Sequence, residues 1–227
     1  MQFKFNQTIL NSLSERMKLE EIPLTEDLKK KDSLSKEKKI KNKLYKSEKI
    51  ERVVLTEILT SDSIENHNGL IYPGECYDFP IFDFMFHLFE EGMLAVTEFY
   101  PLRKDKSYLE KYIFPMKELY QEAQKIPEPM PNTFEWIKEF SSGHGFFLGS
   151  TKEHLPEIEK IFKSYLELWI GYVEKAEPIA DPTLKDSASN FKKKFCTVFH
   201  ENVSDFDNLY GNFGEEWTER YYREVIY

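Results

Sequence analysis

Residues 81–100 read IFDFMFHLFEEGMLAVTEFY, and their pattern decides the fold class. Ile81 to Phe89 and Met93 to Tyr100 are two β-rich runs joined by Glu90-Glu91-Gly92, the composition of a hairpin. Alternate side chains of a strand share a face, so Asp83, Met85 and His87 project together, with Ile81 at the end of the row. Ile and Met on that face argue that it is covered, which leaves a carboxylate poorly solvated and raises its proton affinity. Such a carboxyl can hold a proton at neutral pH and hand it to a substrate. The same residues also fit an edge strand on which Asp83 and His87 are wet.

Further strands lie on both sides of the hairpin. Arg52 to Thr60 carries Val53, Val54, Leu55, Ile58 and Leu59, and a second run covers Asn68 to Tyr72 before the turn at Pro73-Gly74. Gly145 to Gly149 frames a short Phe-Phe-Leu strand with Phe147 at its centre. Helical spacing marks Phe5, Ile9, Leu10 and Leu13 near the N-terminus, and Tyr108 to Lys125. It is clearest from Thr151 to Glu177, where Leu155, Ile158, Phe162, Tyr165, Trp169, Tyr172 and Ala176 recur until Pro178. Ile126 to Pro131 is a Pro-rich breaker; Phe191, Phe195, Val198 and Phe199 mark another helix, and Trp217, Tyr221 and Val225 the last. Helix, strand group, then helices predict an α+β layered domain with a mainly antiparallel sheet, one domain over residues 1–227.

Aromatic residues make up 15% of the 227 positions, with 19 Phe and 13 Tyr, enough to build a core and still line a pocket for a flat ligand. The net charge of −9 is uneven: residues 28–52 hold eleven Lys or Arg against four acids. An acidic chain is a poor general nucleic-acid binder, whereas this basic window is either a solvated segment or a docking patch for an acidic protein. Its lysines predict a loop or an edge. Cys76 and Cys196 have no metal spacing, and free thiols are expected. Apolar runs are too short to span a membrane, and Phe3 to Arg16 is amphipathic, unlike a signal peptide. The expected location is the cytoplasm, or a plastid stroma after removal of a transit peptide. Dinucleotide, phosphate-loop and nucleophile-elbow motifs are absent, and His67, His87, His144, His154 and His200 lack ligand spacing, so no metal is expected. Ser142-Gly-His-Gly145 fits a turn as well as a site.

Several motifs in order carry a resemblance: Leu70-Ile-Tyr-Pro73, Asp78-Phe-Pro80, Phe99-Tyr-Pro101, Pro101-Leu-x-x-Asp-Lys-x-Tyr-Leu109, Tyr165-Leu-Glu-Leu-Trp169, and Phe213 to Val225. Over about two thirds of its length the chain resembles the ferredoxin-dependent bilin reductases, closest to the 15,16-dihydrobiliverdin:ferredoxin oxidoreductase branch of the phycoerythrobilin pathway. The resemblance implies a three-layer α/β/α sandwich, with an open-chain tetrapyrrole held between the sheet and the C-terminal helices. It implies reduced ferredoxin as electron donor, no bound cofactor, and protons delivered to substrate radicals. It also admits a second bilin reductase or a heme oxygenase as partner, and a monomer is expected.

Residue by residue, Asn68 stands where the phycocyanobilin-forming branch has histidine, and asparagine there is the pattern of the phycoerythrobilin branches. The family's proton-donating Asp, in Gly-x-Asp after Asp-x-Pro, falls on Met85, and its second Asp falls on Val203. Each has an acid two residues away, Asp83 and Asp205. Asp83, Asp205 and Asn68 are therefore the candidate catalytic residues, and Met85, His87, Val203, Asp207 and Phe147 the candidate bilin contacts. Either the donors have shifted, or the protein binds a bilin without reducing it. Reduction of biliverdin to 15,16-dihydrobiliverdin is the first expectation, and reduction of 15,16-dihydrobiliverdin to phycoerythrobilin the second.

Overall fold

A computed structural model describes residues 5–60, 65–127, 135–203 and 208–227. In chain order the elements are α1 (Phe5–Arg16), β1 (Glu20–Glu21), α2 (Glu26–Lys29), β2 (Lys30–Asp32), β3 (Lys38–Lys46), β4 (Ile50–Thr60), β5 (Glu65–Pro73), β6 (Ile81–Leu88) and β7 (Met93–Tyr100). There follow α3 (Lys106–Tyr112), α4 (Lys117–Ala123), α5 (Glu135–Lys138), β8 (Phe146–Ser150), α6 (Leu155–Lys175), α7 (Pro182–Val203), α8 (Leu209–Phe213) and α9 (Glu215–Tyr221), the last running into a π-helical turn at Tyr222–Ile226.

The strands form one antiparallel sheet in the order β1-β3-β4-β5-β6-β7-β8, with β2 paired to the same edge of β3 as β1. Nearest neighbours in sequence pair in space from β3 to β8, which keeps the connections short. One face is apolar and aromatic: Phe82, Phe84 and Phe86 of β6 meet α1 and α6, with Phe5 stacked on Phe86 and Phe162 edge-on to it at 4.9 Å. Trp169 of α6 donates its indole N–H to the Pro80 carbonyl at 2.8 Å, fixing the helix on the sheet. The other face is covered by α7 and the C-terminal helices, as the Tyr100–Phe195 ring contact (4.6 Å) and the Thr56–Tyr221 hydrogen bond (3.0 Å) record. Three layers result, as expected.

One expectation is corrected and another is narrowed. The Tyr108–Lys125 pattern is not one helix: a 3₁₀ turn at Phe114–Met116 separates α3 from α4, because Pro115 has no N–H to give and its ring crowds the preceding turn. The lysine-rich window, expected as a loop or an edge, is the edge of the sheet. It forms β2 and β3, where Ile40, Asn42 and Leu44 bury on one face while Lys39, Lys41 and Lys43 alternate on the other. Part of the Pro-rich breaker, residues 128–131, lies outside the described residues. No helix among the described residues is long and apolar enough to cross a membrane.

Candidate active site

A cavity of about 420 Å³ opens between the sheet and the helices of its second face. That volume is within the usual range for small-molecule sites. Sheet register builds its floor. One line of paired residues crosses from β3 to β8 as Asn42, Thr56, Asn68, Met85, Val96 and Phe147. The adjacent line, two residues along each strand, runs Val54, Leu70, Asp83, Glu98. Thr56 to Phe147 of the first line and all of the second face the cavity. Its walls are largely aromatic: Tyr120, Trp136, Phe199, Tyr221 and Tyr222, with Leu209 and Ile226.

Gly69 and Gly145 permit this geometry. A Cβ on Gly69 would sit 2.3 Å from the Phe84 ring and 2.6 Å from the Val54 carbonyl oxygen, so the close packing beneath the cavity tolerates only glycine. A Cβ on Gly145 would meet the Thr97 oxygen at 2.5 Å and the Glu98 carboxylate at 2.7 Å. Gly145 of the Ser-Gly-His-Gly stretch is thus pressed against β7, Gly143 takes a left-handed φ of 73°, and His144 offers its carbonyl to the Tyr165 hydroxyl at 2.7 Å.

Two carboxyl groups stand side by side in the cavity, since Asp83 and Glu98 are directly paired across the hairpin. Asp83 opens onto the cavity, which leaves it half-buried by exposure although protein surrounds it. Its side-chain partner is the Tyr100 hydroxyl, which donates to Oδ2 at 2.6 Å. Burial lifts the Asp83 carboxyl to about 7; the Tyr100 hydrogen bond works against that rise and the neighbouring Glu98 charge adds to it. Glu98 is differently furnished. Its Oε1 accepts from the Phe99 amide (2.8 Å), the Ser142 amide (3.4 Å) and the Ser142 hydroxyl, and its Oε2 from the Ser141 hydroxyl at 2.5 Å. Burial raises its proton affinity, and these donors oppose the rise. Among the described residues that line the cavity there is no Lys, Arg or His.

A second polar group lies along the first line. Thr56 donates to the Asn42 side-chain oxygen at 2.8 Å and shares a hydrogen bond with the Tyr221 hydroxyl, while Asn42 donates to the Leu28 carbonyl at 2.7 Å. Asn68 is the next residue of that line.

The structure therefore brings together Asp83, Asn68, Met85 and Phe147. His87 is not among the lining residues: it lies beyond the cavity on the same strand face, with its ring edge-on to Phe89 at 5.9 Å, so the expected bilin contact is not placed there. Val203 is the last residue of α7, and Asp205 and Asp207 lie outside the described residues. Glu98, Tyr100, Thr56 and Tyr221 were not foreseen as site residues, although the hairpin register and the strand period contain the signal for the first two.

The family model for ferredoxin-dependent bilin reductases matches residues 6–227, well beyond the two thirds that the motifs covered. The chain belongs to the ferredoxin-dependent bilin reductases. Among proteins similar to this reductase are two named 15,16-dihydrobiliverdin:ferredoxin oxidoreductase. The one from Nostoc punctiforme is 24% identical over 190 residues, covering 83% of this chain and 78% of that protein. The one from a Synechococcus species is 25% identical over 191 residues, covering 83% and 81%. In fold the reductase is similar to phytochromobilin synthase from tomato, solved in complex with biliverdin, with a TM-score of 0.86 at 18% identity over 97% of this chain and 81% of that one.

Several of the residues that signalled this bilin reductase in the sequence hold the scaffold together. Asp78 accepts from Arg103 (2.9 Å) and the Tyr112 hydroxyl (3.0 Å), and Asp105 caps α3 through the Tyr108 amide. In the C-terminal stretch, Trp217 donates to the Asp27 carbonyl at 2.9 Å and Arg220 pairs with the Asp27 carboxylate at 2.8 Å, tying α9 to α2.

Proposed function

We propose that this bilin reductase converts biliverdin to 15,16-dihydrobiliverdin, taking two electrons singly from reduced ferredoxin and one of the two protons from Asp83. The observation that carries this reading is a carboxyl in an aromatic cavity that keeps its proton near neutrality, with no cation among the described residues that line the cavity. Asn68, on the adjacent floor line, is the hydrogen-bonding partner near the reduced bridge. Asp205 is the candidate second donor or pyrrole anchor, and Asp207 a further candidate contact. The names of the similar proteins and the biliverdin in the tomato structure support the substrate class. Ferredoxin supplies the electrons, and the chemistry calls for no bound flavin, haem or metal.

One observation favours a different reading, a bilin-binding protein that does not reduce its ligand: Met85, an apolar thioether, faces the cavity where the family's acid is expected. Anaerobic addition of biliverdin and a ferredoxin-reducing system, followed by absorbance and product chromatography, separates the cases. Loss of the biliverdin band with formation of 15,16-dihydrobiliverdin is the expected result. Reduction only of added 15,16-dihydrobiliverdin would replace the reaction with its successor. Spectral binding without turnover, gained on Met85→Asp, would establish the binder.

A further inference from the structure

Asp83 and Glu98 are chemically alike and directly paired across the hairpin, yet their surroundings divide them. Glu98 is buried, and its two oxygens collect four donors, two hydroxyls and two amides. Burial raises the proton affinity of both carboxyls, and at Glu98 four donors oppose that rise where Asp83 has two. Asp83 accepts from one side-chain hydroxyl and from the Phe84 amide, and otherwise faces the cavity. Two like charges this close are not both favourable in a water-poor site, so the poorly furnished one retains the proton.

We propose that Glu98 is a positioning residue for the reduction: a fixed negative charge, held ionised by Ser141, Ser142 and the Phe99 amide, that keeps the proton on Asp83, while Tyr100 aims the Asp83 carboxyl into the cavity. The inference rests on Asp83 being the proton donor. The serines that hold Glu98 belong to the turn between α5 and β8, so the same bonds also fasten that turn over the cavity.

Other groups around Asp83 leave this division intact. From β5 its direct partner is Leu70, with the buried Tyr72 next on that face. Beside Tyr72 stand Cys196 of α7, whose thiol burial pushes up to about 11, and Tyr227, whose hydroxyl burial also pushes up, while Tyr222 of the C-terminal turn lines the cavity. Arg52 of β4 is turned to the carbonyls of Glu224 and Val225, at 3.4 and 3.2 Å.

The two neighbours act on Asp83 with opposite sign, which makes the inference testable. Glu98→Gln removes a charge that favours the protonated acid, so the Asp83 midpoint falls, by about one pH unit for a charge at this range. Tyr100→Phe removes a donor that favours the carboxylate, so the midpoint rises. Glu98→Asp keeps the charge and stays nearer wild type than Glu98→Gln. Single-turnover reduction of biliverdin by reduced ferredoxin, followed from pH 5.5 to 8.5, reads the midpoint as the pH above which the rate falls. Titration of the protonated-carboxyl infrared band that Asp83→Asn abolishes reads it again in the ligand-free protein, without activity.

Opposite displacements in both measurements are the expected result. A wild-type midpoint in Glu98→Gln, or displacement of both variants in one direction, overturns the inference. Should Glu98→Gln fail to fold, a Tyr100→Phe midpoint that does not rise overturns it. Full turnover by Asp83→Asn would instead overturn the donor reading, and the infrared midpoints would still decide whether Glu98 governs the Asp83 proton.

Discussion

At the scale of single residues, an acid kept protonated by its fold is a liability in stability and an asset in chemistry. The folded Asp83 carboxyl titrates near 7, above the ordinary aspartate range, so the folded state binds the proton more tightly than the unfolded chain. Below about pH 4 both states are protonated and the site costs nothing. As pH rises from there to 7, only the unfolded chain releases its proton, and stability declines until the folded group ionises as well. Asp83→Asn keeps the shape and the acceptor for Tyr100 without the titration. It should raise stability at pH 8, by about 4 kcal/mol at most, and leave it nearly unchanged near pH 4, as chemical denaturation at the two pH values would measure. It should also abolish reduction while biliverdin still binds, seen as a spectral change without turnover. Equal stabilisation at both pH values would mean that Asp83 carries no raised titration.

At the scale of elements, the hairpin shows what a sequence yields and what it withholds. Period two places Asp83 and Met85 on one face, the family resemblance marks Asn68, and the register of the sheet brings them together with Phe147, so part of the candidate site is legible from residue spacing. Glu98 and Tyr100 depend on register between strands. Reading β6 to Phe89 with a three-residue loop pairs Asp83 with Phe99, whereas the chain turns one residue earlier and pairs Asp83 with Glu98. A slip of one residue exchanges the faces, which is why the second carboxyl escapes a reading by composition. The C-terminal cover of the cavity, including Tyr221, depends on contacts far apart in sequence that no local pattern encodes. The sheet's close packing has its own test. Gly69→Ala forces a Cβ onto the Phe84 ring and the Val54 carbonyl, and should destabilise by roughly 2–3 kcal/mol in denaturant unfolding. Lys49 presents a milder case: its ammonium meets the Val173, Glu174 and Ala176 carbonyls at 2.8–3.1 Å, closing the C-terminus of α6. Lys49→Met should cost about 1 kcal/mol in the same assay.

At the scale of the whole molecule, charge is segregated: the basic window formed by β2, β3 and the start of β4 carries +7 in a chain of net −9. Some of that charge is committed to structure, since Lys49 caps α6, Arg52 holds the C-terminal carbonyls and Lys39 pairs with Asp32 at 3.2 Å. Lys38 and Lys41 make no ion pair among the described residues. The other basic group, Arg103 to Lys106, is largely neutralised: Arg103 bridges Asp78 and Asp105, Lys104 meets the Glu139 carbonyl, and Lys106 lies 3.7 Å from Glu110. The β2–β3 edge is therefore the expected docking surface for an acidic electron donor. Reversing Lys38, Lys39 and Lys41 to Glu changes the local charge by six without touching the cavity lining. Ferredoxin-supported kcat/KM should fall about tenfold or more at low ionic strength, and biliverdin affinity should stay at the wild-type value. Because screening lengths shorten to roughly 8 Å at physiological salt, the deficit should shrink as salt is added. An unaltered rate at low salt would move the docking surface to the Arg103–Lys106 side, where the residual charge of Lys104 and Lys106 would be the next to reverse.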